Sequence, residues 1–152
     1  MSQTDSLVAF LLRAKRAAYA SGAGSSGSSR PSSKDLPYQE GSWYYLDSFL
    51  GGHKFAGEEI VWESGVALWG MNYYGWMETA EIPTGFSEFL KHSLQKVPVE
   101  APFRGPAEFS EADYSYGCKW TGNIGCFQGE EWIDLGGERI YRLVFHGGFL
   151  LD

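Results

Sequence analysis

The sequence predicts an α+β fold in which two helices pack on one face of a curved, mostly antiparallel sheet. Two segments, one near the N terminus and one after Pro83, carry apolar residues at helical spacing. The segments between and after them alternate apolar and polar residues and are joined by glycine-rich turns, as strands in hairpins are. These elements come in blocks, in the order α-βββ-α-βββ, which disfavours a doubly wound parallel sheet.

Size and composition indicate one globular domain spanning residues 1–152. With 152 residues, 43% of them hydrophobic, the chain can bury a core without help from a metal or a disulfide. A net charge of −7 disfavours nucleic acid as a partner of this chain alone. No apolar run approaches the ~20 residues that cross a bilayer, and no secretory signal follows Met1. We therefore expect a cytoplasmic protein that makes no membrane contact.

The first helix is expected to start at a cap formed by Asp5 or Ser6 and to end near Ala20. Residues 21–33 are mostly glycine and serine, which predicts a flexible loop. A phosphate-binding loop would lie between a strand and a helix and would end in Gly-Lys-Ser/Thr. This loop follows a helix and has no such ending, so it is not expected to bind phosphate.

The first block of strands is predicted at 43–50, 55–63 and 66–74, with turns at Gly51-Gly52 and Ser64-Gly65. The second helix follows, over residues 83–97, with Thr84 or Ser87 as its cap, and prolines then favour an extended stretch. The second block comprises an alternating strand at 114–120 and strands at 126–135 and 138–149. The two halves share this layout, but no residue-level repeat is apparent.

Cys118 and Cys126 flank a predicted turn at Gly122, and a symmetric hairpin would place them within disulfide reach. The alternative is two free thiols, as is usual for a cytosolic protein. Neither the cysteines nor the three histidines have the spacing of a metal site. No metal or cofactor is therefore predicted.

The aromatic-rich stretch 43–75 carries polar residues on three successive strands. If their faces coincide, acids and an amide would line an aromatic floor, which suits a polar ligand with amines or hydroxyls, or a carboxylate pair for glycoside hydrolysis. The alternative is that the acids cap turns, form ion pairs or face solvent; the register that would decide this is not readable from sequence. The candidates in this stretch are Asp47, Glu58, Glu59, Asn72 and Tyr74.

Two further candidates lie outside that stretch. Arg104 stands in a proline-bounded loop, where its guanidinium could bind a ligand anion or hold the loop against an acid of the sheet. His146, near the end of the last strand, is either a structural residue or a general base paired with an acid. No Gly-x-Ser-x-Gly nucleophile motif is present.

Six motifs are distributed over most of the chain: FLLRAKRAAYA (10–20), SSRPSSKDLPYQEG (28–41), YYLDSFLGGHKFAGEE (44–59), MNYYG (71–75), PFRGP (102–106) and FHGG (145–148). With these motifs the chain resembles an uncharacterised bacterial and archaeal family, DUF5680. The resemblance implies a domain that occurs alone or behind an Xre-type helix-turn-helix, and hence a sensor or accessory role; it brings no activity, cofactor or catalytic residue. Met1 lies close to the first helix, so we do not expect a DNA-binding domain in this chain.

Taken together, these features predict a binding or sensor-type domain that recognises a polar small molecule or a peptide through an acidic, aromatic-lined site. A hydrolase with an Asp/Glu or Glu/His pair is one alternative, although the absence of a catalytic motif disfavours an enzyme. A protein-interaction module is the other, and an exposed apolar patch or sheet edge would favour it.

Overall fold

The structure, a computed structural model, describes residues 1–20 and 27–152. It contains two helices and eight strands among these residues. In chain order they are α1 (Gln3–Ala20), β1 (Lys34–Glu40), β2 (Trp43–Gly51), β3 (Lys54–Glu63), β4 (Val66–Met77), α2 (Phe86–Gln95), β5 (Glu108–Glu111), β6 (Tyr114–Asn123), β7 (Cys126–Leu135) and β8 (Glu138–Phe149).

The strands form one open antiparallel sheet in the order β1-β2-β3-β4-β8-β7-β6-β5. This confirms the predicted α+β class and order of elements. Each predicted block of three strands gains one short strand, β1 or β5, at an edge of the sheet. Sequence patterning missed both because β1 contains Pro37, which an edge strand tolerates, and β5 has only 4 residues.

Both helices begin at different residues from those expected. Ser2, rather than Asp5 or Ser6, caps α1: its hydroxyl accepts a hydrogen bond from the Asp5 backbone N–H at 3.1 Å, and the Asp5 carboxylate accepts one from the Ser2 backbone N–H at 3.2 Å. This is the reciprocal pattern of a capping box. Helix α2 starts after Gly85, which has a φ of 89° and, as a glycine, no side chain to cap the helix, so neither Thr84 nor Ser87 has the predicted role.

Part of the serine-rich segment is held by hydrogen bonds. The prediction of a flexible loop falls partly on residues 21–26, which lie outside the described residues. Residues 27–33, in contrast, are attached to the sheet: the Ser29 backbone N–H donates to Asp35 at 2.8 Å, and the Arg30 guanidinium donates to the Ser48 hydroxyl at 2.9 Å. Short polar side chains and buried acceptors thus give this part of the segment a fixed conformation.

The two halves of the chain are related by a residue-level repeat that the sequence pattern alone did not reveal. Phe55-x-Gly-Glu-Glu59 in β3 recurs as Phe127-x-Gly-Glu-Glu131 in β7. The central strands β4 and β8 are neighbours, and Tyr73 pairs with its own equivalent, Phe145. The register is therefore that of a pseudo-twofold axis passing between β4 and β8.

The hydrophobic core lies on the face of the sheet that both helices cover. Phe10 of α1 packs against Trp43 with ring centroids 5.4 Å apart, and Phe89 of α2 stacks on Tyr114 at 5.0 Å. Phe103, in the loop after α2, stacks on Phe127 of β7 with ring centroids 3.9 Å apart. We call this covered side the inner face, and the opposite side, whose central residues are exposed, the outer face.

The two cysteines do not lie opposite each other. The β6–β7 turn is tighter than predicted: Asn123 pairs with Cys126, whereas Cys118 pairs with Glu131. Both thiols are free, Cys118 buried and Cys126 exposed. The disulfide alternative is therefore wrong, because the turn places the two cysteines at different levels of the hairpin.

Substituting Gly57 should disrupt the inner face. A Cβ atom at Gly57 would lie 2.2 Å from Cζ of Tyr73, which has no room to retreat into a buried core. We expect Gly57→Ala to lower the free energy of unfolding by about 1–3 kcal/mol in urea denaturation. Gly52→Ala, in the same hairpin but with no atom within 4 Å, is the control and should cost less than about 0.5 kcal/mol. Equal losses would show that the close glycine–tyrosine contact is not a constraint.

Candidate functional site

Strand alternation divides the seven candidate residues between the two faces of the sheet. Asp47 and Glu59 point inward and are buried, with relative exposures of 4% and 0%, and Arg104 joins them from its loop at 5%. The other four point outward, on strands β3, β4 and β8, and all four are exposed: Glu58, Asn72, Tyr74 and His146. The predicted single site is thus two separate sets of residues, one sealed and one open.

Glu59 is the centre of the first buried ionic group. Its Oε1 accepts hydrogen bonds from Lys15 Nζ of α1 at 2.6 Å and from Tyr45 Oη of β2 at 2.5 Å. Lys15 also donates to the carbonyl oxygen of Phe103 at 2.8 Å. Burial lowers the pKa of Lys15, against the opposing effect of the Glu59 carboxylate. One ammonium group therefore links the helix, the sheet and the loop after α2.

Glu131 is the equivalent centre in the second half. Arg104 binds it through two parallel hydrogen bonds, from Nε to Oε1 at 3.0 Å and from Nη2 to Oε2 at 2.9 Å. Tyr116 and Tyr141 complete the set, donating to the two carboxylate oxygens at 2.5 and 2.6 Å. Sequence reasoning missed Glu131, although the repeated Gly-Glu-Glu could have indicated it. Arg104 holds its loop against an acid of the sheet, which was one of its two expected roles.

Asp47 adds a third carboxyl group to this interior. It accepts a hydrogen bond from Tyr73 Oη at 2.6 Å. Burial, and then the negative charge of Glu59, raise the pKa of Asp47 to about 7. We call these five ionisable groups, with their tyrosine partners, the buried cluster: Lys15, Asp47, Glu59, Arg104 and Glu131. Because its members contact each other rather than solvent, the buried cluster is not a substrate cleft.

The outward-facing residues form a polar row across the centre of the sheet. Glu58 pairs with Asn72, Asn72 with His146, and His146 with Gln128, on the adjacent strands β3, β4, β8 and β7. With neighbouring strands ~4.8 Å apart, these four residues span ~14 Å. None of the four side chains has a hydrogen-bond or ion-pair partner among the described residues. We call this set the outer row; Gln128 is the member that the sequence did not indicate.

Two connected grooves run along the outer row. One, of about 500 Å³, contains all four residues of the row together with Ile60 and Phe149. The other, of about 600 Å³, shares Gln128 and His146 and continues over Val144 towards β6. These volumes lie in the range of small-ligand sites. Tyr74, 44% exposed, lies beside the row with its ring 5.8 Å from that of Trp76.

The acidic residues of the outer face differ in whether a cationic side chain neutralises them. Glu130 is paired with Lys119 at 3.0 Å, and Arg142 with Glu78 at 3.0 Å. Glu58, by contrast, has no cationic partner in the described part of the chain. The Glu58 end of the outer row is therefore a site of uncompensated negative charge, where a ligand could place an ammonium group or hydrogen-bond donors.

The described residues contain no group of three or more His, Cys, Asp or Glu side chains arranged to hold a metal ion. In the outer row, Glu58 and His146 lie on strands that β4 separates, ~10 Å apart between backbones, and no hydrogen bond joins the two side chains. Neither described helix combines the length and the apolar character needed to cross a membrane.

Breaking the buried pair of Glu131 should be costly. Arg104→Met would leave the Glu131 carboxylate buried without a cation, and we expect the free energy of unfolding to fall by about 3–5 kcal/mol in urea denaturation. The matched control is Arg13→Met, which removes the exposed Arg13–Glu40 pair and should cost no more than about 1 kcal/mol. A loss for Arg104→Met as small as that of the control would contradict a role for the pair in fixing the loop.

Comparisons with known proteins give one family. A search of curated proteins found no match, and a search of solved structures found none either. A family model described as "Domain of unknown function (DUF5680)" matches residues 47–150, from the middle of β2 to just beyond the end of β8. The match includes both Gly-Glu-Glu segments and the whole outer row, and it covers more than half of the chain. The chain therefore belongs to the DUF5680 family.

Proposed function

We propose that this protein is a non-catalytic binding domain that recognises a polar small molecule or a short peptide in the grooves of its outer face. The observation that carries the proposal is the outer row: four polar side chains on four adjacent strands, exposed in a continuous groove and without partners among the described residues. Polar groups that a fold does not use and that converge in a groove are typical of recognition sites.

The outer row favours a ligand rich in hydrogen-bond donors. Glu58 is an acceptor and carries the uncompensated charge, while Asn72 and Gln128 each offer both a donor and an acceptor. Ile60 and Val144 provide apolar contact on either side of the row. A ligand with an ammonium, hydroxyl or amide group near Glu58 fits this chemistry, and the net charge of −7 favours a neutral or cationic ligand over an anionic one.

The two alternatives fit these surfaces less well. A hydrolase needs an acid pair or a Glu–His pair in one cleft. Asp47 and Glu59, which lie opposite each other in β2 and β3, are sealed in the core, and Glu58 and His146 lie on strands that β4 separates. A protein-interaction module would use the same outer face. A bound peptide would therefore fit both this alternative and the proposed binding domain. In family members fused behind an Xre-type helix-turn-helix, as the resemblance implies, such a domain would act as the sensor.

A thermal-shift screen tests the proposal. The purified protein is screened against amines, amino acids, sugars, nucleotides and short peptides of both charge signs. A ligand at 100 times its dissociation constant adds about 2.7 kcal/mol to stability, a shift of a few degrees for a domain of this size. We expect Glu58→Gln and Asn72→Ala each to abolish or strongly reduce the shift while the unliganded protein keeps its melting temperature.

Glu108→Gln is the matched control, because Glu108 is an exposed acid on the edge strand β5, outside both grooves. It should leave the ligand-induced shift unchanged. A shift that survives both outer-row substitutions, or one that Glu108→Gln reduces equally, would place binding elsewhere. No shift over the whole panel would contradict a small-molecule or peptide site on the outer face.

A further inference from the structure

The buried cluster has one more acid than base. It contains three carboxyl groups, of Asp47, Glu59 and Glu131, and two cationic side chains, of Lys15 and Arg104, all of them at most 5% exposed. If every group were ionised, the core would hold an unbalanced negative charge, which low-dielectric surroundings strongly disfavour. Some group in this cluster therefore has to be neutral for the charges to balance.

A buried oxygen atom without a hydrogen-bond donor indicates where the neutralising proton lies. Oε2 of Glu59 is buried and accepts no hydrogen bond within the described residues, although Oε1 of the same carboxylate accepts two. Buried acceptors are almost always satisfied. The hydroxyl of Tyr19 is also buried without a partner, so it does not serve this oxygen.

Asp47 is the neighbour placed to supply the donor. It pairs directly with Glu59 across the β2–β3 ladder, and both side chains are on the inner face. Directly opposed residues have Cβ atoms ~5 Å apart, within the reach of two carboxyl groups. Its Oδ1 accepts the hydrogen bond from Tyr73, which leaves Oδ2 to carry a proton.

We propose that Asp47 and Glu59 form a buried acid pair that shares one proton, with the Asp47 carboxyl group donating to Oε2 of Glu59. This single proton balances the charge of the cluster and satisfies its unpaired oxygen. The proton is bound on folding, and losing it leaves two carboxylates facing each other in the core. The pair is therefore a proton-binding site that links the stability of the domain to pH.

The cationic side chains around the Asp47–Glu59 pair already have other hydrogen-bond partners. Lys15 of α1 donates hydrogen bonds to Oε1 of Glu59 and to a backbone carbonyl. Arg104, in the loop after α2, donates two hydrogen bonds to Glu131 of β7. Their positive charges lower the pKa of Asp47, but burial and Glu59 outweigh them. The remaining titratable neighbours are five tyrosines and one thiol. They are Tyr19 of α1, Tyr45 of β2, Tyr73 of β4, Tyr116 of β6, Tyr141 of β8 and Cys118 of β6, and burial raises the pKa of each.

The direction of the pH effect follows from the raised pKa of Asp47, about 7 in the folded protein, against about 3.9 in an unfolded chain. Between these values the folded state holds a proton that the unfolded state has released. The stabilisation is therefore complete below about pH 4 and is lost as pH rises to about 7, and the unfolding equilibrium constant rises by up to tenfold per pH unit in this window. Above pH 7 the effect levels off.

Asp47→Asn is the decisive variant, because an amide keeps the acceptor for Tyr73 and offers a permanent N–H donor to Glu59. Urea denaturation of the wild type and the variant is compared from pH 5 to pH 8. We expect the ratio of their unfolding constants to change by close to tenfold per unit between pH 5 and 6.5 and then to level off. Glu108→Gln, which removes an exposed acid of the edge strand β5, is the control and should follow the wild type. Parallel pH profiles for the wild type and Asp47→Asn would overturn the proposal.

A second measurement uses the unaltered protein, so it decides the question even if Asp47→Asn does not fold. Side-chain carboxyl carbons are followed by ¹³C NMR as pH is raised. One Asp carboxyl group should remain protonated at pH 6 and titrate near pH 7. The proposal fails if every Asp and Glu carboxyl group is ionised by pH 6. Both tests are independent of ligand binding on the outer face.

Discussion

The burial of one glutamate in each half of the chain is the constraint on which the arrangement of the other elements depends. A carboxylate in a protein core is tolerated only when it is paired and fully hydrogen-bonded. Glu59 forms an ion pair with Lys15 of α1, and Glu131 forms one with Arg104 in the loop after α2. These two pairs define where the helix and the loop dock on the sheet. Apolar contacts such as Phe103 on Phe127 are non-directional, whereas the hydrogen-bonded ion pairs are directional and so restrict how the helix and the loop dock on the sheet.

The glycines of the repeat make this arrangement possible. Gly57 and Gly129 precede the paired acidic residues of the two Gly-Glu-Glu segments, and the rings of Tyr73 and Phe145 lie where their side chains would be. The same relation holds on both sides of the pseudo-twofold axis. The two aromatic rings therefore pack directly against the glycine backbone of the neighbouring strand, on the inner face. The second glutamate of each segment points into that space, and the first points to the outer face.

The fold class could be predicted from sequence because it depends on local signals: periodic apolar residues in the helices and glycine turns between the strands. The site could not, because its geometry depends on register. Glu58 and Glu59 are consecutive and must lie on opposite faces, but which of them shares a face with Asp47 is decided only by pairing across β2 and β3. Arg104 and Glu131 lie far apart in the sequence, and only the sheet order brings them together. The repeated Gly-Glu-Glu was the one local sign that both halves build the same kind of centre.

The repeat also explains why the outer face is asymmetric where the core is not. The groove that contains Glu58 has a counterpart that contains Glu130, with Trp132 in the place of Ile60. In the counterpart the acid is neutralised by Lys119, and Val144 stands where the first groove has Asn72. The core positions are held to the same chemistry in both halves because a buried carboxylate requires a partner, whereas exposed positions are free to differ. Folding does not require this difference, and it is concentrated in the groove that we propose binds a ligand.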